Sequence, residues 1–218
     1  MRGFLLLLGL LAGMSGAIAQ PRETRGAPMG EFDFYVLSLS WSATWCELTG
    51  SRRGARQCDP GRNPGFVVHG LWPQYERGYP AFCGPEGRNP SRSAMSRAET
   101  VLPDQGLARH QWRKHGSCSG LAPEAYFDAT ATARLRVKIP EKLVTPRENT
   151  RLPPLEIERA FAEANPGLRA DMMSVTCDRG MLEEIRICLT KDLRSFRSCE
   201  QVDRDTCRAR EITVPSAR

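Results

Sequence analysis

The 218-residue sequence predicts a single α+β domain, in which a central antiparallel sheet is flanked by helices and stabilised by disulfides. Three observations predict this class. Helix-like segments are inserted between strands that are not neighbours along the chain. Roughly 200 residues follow an N-terminal leader without a Gly/Ser linker or an internal repeat, which is the size of one domain. Eight cysteines, an even number, follow the same leader.

The leader has the pattern of a secretory signal peptide over residues 1–19. A charged start precedes a short apolar stretch at 4–11, and Ala17-Ile-Ala19 is a small-x-small cleavage site. The apolar stretch is too short to span a bilayer, and no later segment approaches about 18 consecutive apolar residues. We therefore expect export to the periplasm or the extracellular medium without a membrane anchor. An uncleaved interfacial helix is the alternative.

After the signal peptide, the sequence predicts a flexible leader at 20–31, the folded domain at 32–210 and a C-terminal tail at 211–218. Phe, Tyr, Val and Leu dominate 32–41, which is typical of a buried strand. A short strand at 65–68 is predicted to deliver His69, with Gly70 and Pro73 ending regular structure. Apolar spacing, prolines and turn residues predict the remaining elements: helices at 93–101, from about 106, at 123–137 and at 155–164, and a hairpin at 172–177 and 181–189.

All three histidines fall in two short segments. His69 lies in Phe-Val-Val-His-Gly-Leu-Trp-Pro-Gln at 66–74, and the other two lie in Arg-His-Gln-Trp-Arg-Lys-His-Gly-Ser-Cys at 109–118. If the second segment is helical, steps of about 100° place four of its side chains within one arc. These are His110, Gln111, Lys114 and His115. The pattern predicts one metal-free site for acid/base chemistry on a phosphate.

These segments resemble the two active-site motifs of the ribonuclease T2 family, His-Gly-Leu-Trp-Pro and His-Glu-Trp-x-Lys-His-Gly-x-Cys. The first is matched at 69–73 and the second at 110–118, except that Gln111 stands where the family usually has Glu. The segments 32–41 and 182–192 resemble the family's first strand and a late strand. The resemblance therefore covers most of the chain after residue 31 and implies an endoribonuclease that cleaves single-stranded RNA.

The resemblance also implies the roles of the site residues. His115 would be the general base and His69 the general acid, and His110 and Lys114 would contact the phosphate. Trp72 matches a position that helps to stack the base upstream of the cut, although a core role beneath the loop is the alternative. Gln74 follows the motif where many relatives have Asp, so the usual base preference does not carry over. Trp112 points away from the catalytic arc and is predicted to be core.

The predicted chemistry follows from the residue types. RNA carries its own nucleophile, the 2′-hydroxyl, so the enzyme needs a base, an acid and positive charge beside the phosphate. No metal or other cofactor is required, and the product would be a 2′,3′-cyclic phosphate. Histidine suits both proton-transfer roles because its ordinary pKa is about 6.5. We expect the enzyme to act on single-stranded RNA as a monomer.

The eight cysteines predict four disulfides in an oxidising compartment. A zinc site is the alternative, but the last four cysteines lack the Cys-x-x-Cys pairs that such sites usually show. Sequence alone does not fix the connectivity. Short loops and the resemblance favour Cys46–Cys58, Cys83–Cys118, and Cys188–Cys199 nested within Cys177–Cys207.

The charge balance is modestly basic, at +6 for the whole chain with neutral histidines. This suits a polyanionic substrate but is also ordinary for solubility. The exposed basic loop at 52–56 either tracks RNA or is simply solvated. A metal-dependent phosphodiesterase is disfavoured because residues 105–123 contain no carboxylate. A catalytically weakened RNA-binding or partner-binding protein on the same fold remains the alternative function, since Gln111 removes a motif carboxylate.

Overall fold

The computed structural model of the chain describes residues 23–62, 65–84 and 89–217. The predicted signal peptide lies outside the described residues. The strands are β1 (Glu23–Arg25), β2 (Phe34–Trp41), β3 (Phe66–Gln74), β4 (Tyr79–Ala81), β5 (Thr150–Leu152), β6 (Met173–Asp178), β7 (Met181–Thr190) and β8 (Ile212–Val214). The α-helices are α1 (Ser42–Trp45), α2 (Arg92–Ala98), α3 (Gln105–Lys114), α4 (Pro123–Arg136), α5 (Pro154–Ala164) and α6 (Glu200–Asp203).

The central sheet has the strand order β3-β2-β7-β8-β5, and β6 pairs with β7. All of its pairs are antiparallel except β7–β8, which meet in parallel at Met181 and Thr213. A separate parallel pair joins β1 to β4. The predicted α+β class with a mainly antiparallel central sheet is confirmed, and the predicted helices and hairpin form within a few residues of their expected bounds.

The prediction that Gly70 and Pro73 end regular structure is wrong, because β3 continues through both residues to Gln74. Within the described part of the chain, β3 lies at the edge of the sheet and pairs only with β2. A proline in an edge strand can direct its nitrogen, which lacks a hydrogen, away from the neighbouring strand, so the sheet loses no ladder bond.

The two faces of β2 belong to two different apolar clusters. Tyr35, Leu37, Leu39 and Trp41 face the main core, to which the helices α2 to α5 contribute. The alternate residues Phe34 and Val36 face a smaller cluster with Cys188, Cys199 and Val202. This is the period-2 alternation of a strand buried on both faces. We call the face of the sheet that carries Phe34 and Val36 the second face, and the candidate site described below lies on it.

Within the flexible leader predicted at 20–31, the residues from Glu23 onward contact the rest of the domain. β1 pairs with β4, Ala27 is buried, and Lys191 Nζ donates a hydrogen bond of 2.7 Å to the Gly30 carbonyl. The predicted C-terminal tail at 211–218 is likewise part of the domain as far as Ala217. β8 completes the sheet between β5 and β7, and Trp41 Nε1 donates to the Pro215 carbonyl at 3.0 Å. Both ends are held by backbone pairing that composition does not reveal.

All four expected disulfides are present: Cys46–Cys58, Cys83–Cys118, Cys177–Cys207 and Cys188–Cys199. The second of them ties the turn after α3 to the segment after β4. The fourth joins β7 to the residue that precedes α6, beside the second face of the sheet. Among the described residues, no helix is long and apolar enough to cross a membrane.

Candidate active site

A cleft of about 320 Å³ opens on the second face of the sheet. All seven of the predicted catalytic and base-binding residues line it: His69, Trp72, Gln74, His110, Gln111, Lys114 and His115. Further residues from distant segments complete the lining: Val36, Tyr79, Arg186, Gln201, Val202 and Asp205. The two histidine segments therefore form one site, with β3 on one side and α3 on the other.

His69 reaches this face because of a β-bulge in β3. The register pairs Ser38 with Gly70 and then Leu39 with Val68, so His69 is the extra residue that no residue of β2 opposes. Strict alternation would place a residue opposite Leu39 on the face of the main core. A bulge re-aims the side chain of the extra residue, and here it directs the imidazole into the cleft.

The His69 ring is held by a buried carboxylate from β7. Its Nδ1 lies 2.5 Å from Glu184 Oε1, which also accepts a hydrogen bond of 3.0 Å from Ser40 Oγ. Glu184 Oε2 accepts from Arg186 Nε at 3.0 Å. Burial raises the pKa of Glu184, but the hydrogen bond and charge of His69 and the charge of Arg186 outweigh burial and lower that pKa to about 2. Glu184 is therefore an ionised partner of His69 Nδ1.

The second histidine segment is carried by α3 and the turn after it. Asp104 Oδ1 accepts a hydrogen bond of 2.9 Å from the Leu107 amide and caps the start of the helix. The helix ends at Lys114, and His115 is its C-cap residue, whose amide still donates to the Gln111 carbonyl at 2.9 Å. The predicted arc is thus present. Trp112 is buried in the main core, as predicted.

The protonation of His115 differs from that of an exposed histidine. Its side chain is buried, and its Nδ1 has no hydrogen-bond partner among the described residues. Burial lowers the pKa of His115 well below its ordinary value, and the positive charges of Lys114, His69 and His110 lower it further. Burial and the charges of Lys114, Arg113 and His69 also lower the pKa of His110. These effects favour the neutral form of His115.

Trp72 lies between the two histidine segments. Its ring stacks on His115, with centroids 5.2 Å apart, and meets His69 edge-on at 5.3 Å. Its Nε1 donates a hydrogen bond of 2.8 Å to Oε1 of the buried Gln111. Gly70 makes this contact possible, because a Cβ there would lie 2.5 Å from Trp72 Nε1. Gln111 therefore holds Trp72, and Trp72 holds the His115 ring.

Four residues that contact the site residues were missed by the sequence analysis: Glu23, Tyr79, Glu184 and Arg186. Glu184 and Arg186 could have been recognised from the sequence, because they are two residues apart in β7 and so share one face of the strand. Glu23 and Tyr79 belong to short strands that no periodicity marks. Among the described residues, no group of three or more His, Cys, Asp or Glu side chains could hold a metal ion.

Comparison with known proteins identifies the family. The family model described as Ribonuclease T2 family matches residues 32–199, which include both histidine segments. The chain belongs to the ribonuclease T2 family. A ribonuclease from Aeromonas hydrophila is 34% identical over 206 residues, covering 91% of this chain and 89% of the relative. A probable ribonuclease from Haemophilus influenzae is 30% identical over 122 residues, covering 50% of this chain and 45% of that protein.

Solved structures of ribonuclease T2 type share the fold. A crystal structure of RNase NT in complex with 5′-AMP has a TM-score of 0.64 and 24% identity, and the match covers 85% of this chain and 99% of that one. An RNase-related protein from Calystegia sepium has a TM-score of 0.67 and 21% identity, with 86% and 99% covered. The family match and the ribonuclease relatives make this ribonuclease T2 member an RNA endonuclease.

Proposed function

We propose that this ribonuclease T2 member cleaves single-stranded RNA without a metal ion, by transphosphorylation through a 2′,3′-cyclic phosphate. The observation that carries the proposal is the unequal setting of two histidines in one cleft. His115 is buried, with a pKa well below its ordinary value, whereas His69 is paired with the ionised Glu184. A neutral imidazole can accept a proton, and an imidazolium held by a carboxylate can donate one.

In the first step, His115 takes the proton of the 2′-hydroxyl while the 2′-oxygen attacks the adjacent phosphorus. The bond from phosphorus to the 5′-oxygen breaks, and His69 donates its proton to that departing oxygen. The products are a 2′,3′-cyclic phosphate and a 5′-hydroxyl. In the second step a water molecule attacks the cyclic phosphate, and the two histidines exchange roles.

The remaining cleft residues bind the substrate in this proposal. His110 and Lys114 contact the non-bridging phosphate oxygens, where negative charge develops in the transition state. Trp72 is partly exposed in the cleft and presents an aromatic surface for the base upstream of the cut. Gln74 supplies amide hydrogen bonds in place of a carboxylate.

The proposal extends to the compartment in which the enzyme works. Four disulfides require an oxidising environment to form and persist. Together with the signal-peptide pattern of residues 1–19, they support export to the periplasm or the extracellular medium.

Incubation of the purified protein with single-stranded RNA in excess EDTA tests the proposed function. We expect undiminished cleavage, with 2′,3′-cyclic phosphate ends in the early products and 5′-hydroxyl ends throughout, identified by mass spectrometry. Activity that EDTA abolishes and Mg²⁺ restores would contradict the metal-free mechanism. RNA that is bound but never cleaved would instead support the weakened binding protein.

Gln111→Glu is expected to move the acid limb of the kcat/KM profile to higher pH. In the wild type the lowered pKa of His115 favours the neutral base, so we expect the acid limb to lie below the ordinary histidine range. A carboxylate at 111 would stand beside His110, Lys114 and His115 and favour the protonated imidazole, which raises the pKa of the base. The cyclic product should be the same.

Gln105→Glu is the matched control, because it adds the same charge at the exposed start of α3. Its acid limb should coincide with that of the wild type. If the Gln111→Glu limb coincides as well, position 111 does not couple to the catalytic histidines. A wild type that is inert until Gln111→Glu activates it would favour the weakened-enzyme alternative.

A further inference from the structure

Glu23 reaches the rim of the cleft through the N-terminal strand. β1 pairs in parallel with β4, and the register sets Glu23 opposite Tyr79 and Arg25 opposite Ala81. Tyr79 lines the cleft, and its ring centroid lies 5.6 Å from Lys114 Nζ and 6.4 Å from the His115 centroid. A segment outside both histidine motifs therefore enters the site at its lysine.

The Glu23 carboxylate is held on both oxygens. Oε2 accepts a hydrogen bond of 3.1 Å from the Tyr79 hydroxyl and lies 3.6 Å from Lys114 Nζ. Oε1 accepts from Arg25 Nε at 2.9 Å, and the Arg25 guanidinium sits 4.3 Å from the Phe82 ring centroid. These partners fix the carboxylate against the ammonium rather than leaving it free in solvent.

A partner for Lys114 matters because its positive charge acts on both of the histidines beside it. Its charge is among the causes that lower the pKa of both His110 and His115, and Arg186 lines the same cleft. On α3 itself, position 111 carries a neutral glutamine that is engaged with Trp72. A lysine side chain is also long and flexible, so holding its ammonium at one place requires a specific contact.

We propose that Glu23 is a positioning residue for Lys114, and that it supplies from the N-terminal strand the negative charge that the motif lacks at Gln111. The carboxylate holds the ammonium toward the scissile phosphate and offsets the effect of its charge on His110 and His115. This inference rests on the proposed function, because it gives Lys114 its role at the phosphate.

Glu23→Gln tests the positioning role, since it removes the charge and keeps the shape. We expect kcat on a short RNA substrate to fall about 10-fold, because the ammonium is no longer held in place, while KM changes less than about twofold. Glu31→Gln is the matched control, because Glu31 is an exposed carboxylate of the same N-terminal segment, and it should leave both constants unchanged. Thermal unfolding of each variant shows whether a change in kcat follows from lost folding.

Lys114→Ala distinguishes a failure of the inference about Glu23 from a failure of the proposed role of Lys114. If Lys114→Ala lowers kcat and Glu23→Gln leaves it within twofold of the wild type, the inference about Glu23 is overturned and the role of Lys114 stands. If Lys114→Ala also has no effect, the proposed role of Lys114 fails. A rate increase in Glu23→Gln would mean that the carboxylate competes with the phosphate for Lys114, which overturns the positioning role.

The double variant Gln111→Glu/Glu23→Gln tests whether Glu23 compensates for the missing motif carboxylate. If one carboxylate beside Lys114 is what the site requires, Glu23→Gln should lower kcat less than about twofold in the Gln111→Glu background, against about 10-fold in the wild type. An undiminished loss in the double variant would show that position 111 cannot replace Glu23 and would overturn the compensation.

Discussion

His115→Ala and His69→Ala are each expected to lower kcat/KM for single-stranded RNA by at least about 100-fold, because each removes one partner of the proton transfers. Both histidines line the cleft, so we expect folding to be largely retained. Initial rates on a defined oligonucleotide, together with thermal unfolding of both variants, provide the measurement. Two folded variants that cleave at near the wild-type rate would contradict the assignment.

A substrate with an activated leaving group separates the base from the acid. In a nucleoside 3′-aryl phosphodiester, the leaving phenolate needs no protonation, so the step assigned to His69 is bypassed. His69→Ala should then recover most of the wild-type rate on the aryl substrate, whereas His115→Ala should remain impaired. The opposite pattern would mean that His69 is the base and His115 the acid. Equal impairment of both variants would mean that His69 does more than protonate the leaving group.

The sequence predicted which residues form the candidate site, but it did not predict the β-bulge and the carboxylates that position them. Spacing on α3 placed His110, Gln111, Lys114 and His115 in one arc, and the structure brings them together with His69. The bulge that aims His69 could not be predicted, because it is a mismatch of register between β3 and β2 rather than a property of either strand. Regular alternation would have assigned His69 to the other face.

The carboxylates of the site were missed for a related reason. Glu184 is 115 residues from its histidine partner, and only the pairing of β2 with both β3 and β7 makes them neighbours. Glu23 lies in a three-residue strand whose composition is polar and resembles a leader. Local pattern identifies groups that act within one helix or strand, whereas partners across a sheet depend on register.

Glu184→Gln is expected to lower kcat/KM by at least about 10-fold, because the amide cannot hold the His69 imidazolium as the carboxylate does. Glu183→Gln is the matched control: Glu183 is the neighbouring carboxylate of β7, its pKa is raised chiefly by burial, and it accepts from Thr176 Oγ1 rather than from His69. The Glu183 variant should keep its activity within about twofold. Equal losses in both variants would indicate a general effect on β7.

The difference in folding stability between the wild type and Glu184→Gln should depend on pH in a defined direction. The folded-state pKa of Glu184 is about 2, against an ordinary value of 4.5, so the stabilising contribution of the carboxylate is fully present above about pH 4.5. Below that pH the Glu184 carboxylate binds a proton in the unfolded chain but stays ionised in the folded protein. Its stabilising contribution is therefore lost as pH falls toward 2. Denaturant unfolding should show the variant less stable by about 3–5 kcal/mol at neutral pH, with the difference shrinking in acid. A constant difference would contradict the ionised pair.

The pair His69→Ala/Glu184→Gln tests whether Glu184 acts through His69. Groups that act as one unit show strongly non-additive losses, so the double variant should be about as slow as His69→Ala alone. If the two losses multiply instead, Glu184 contributes by a second route, and Arg186 is the residue to follow, since it binds Glu184 Oε2 and also lines the cleft. Because the comparison is made within the His69→Ala background, a loss of activity from general destabilisation would appear as a further decrease, which a positioning role does not produce.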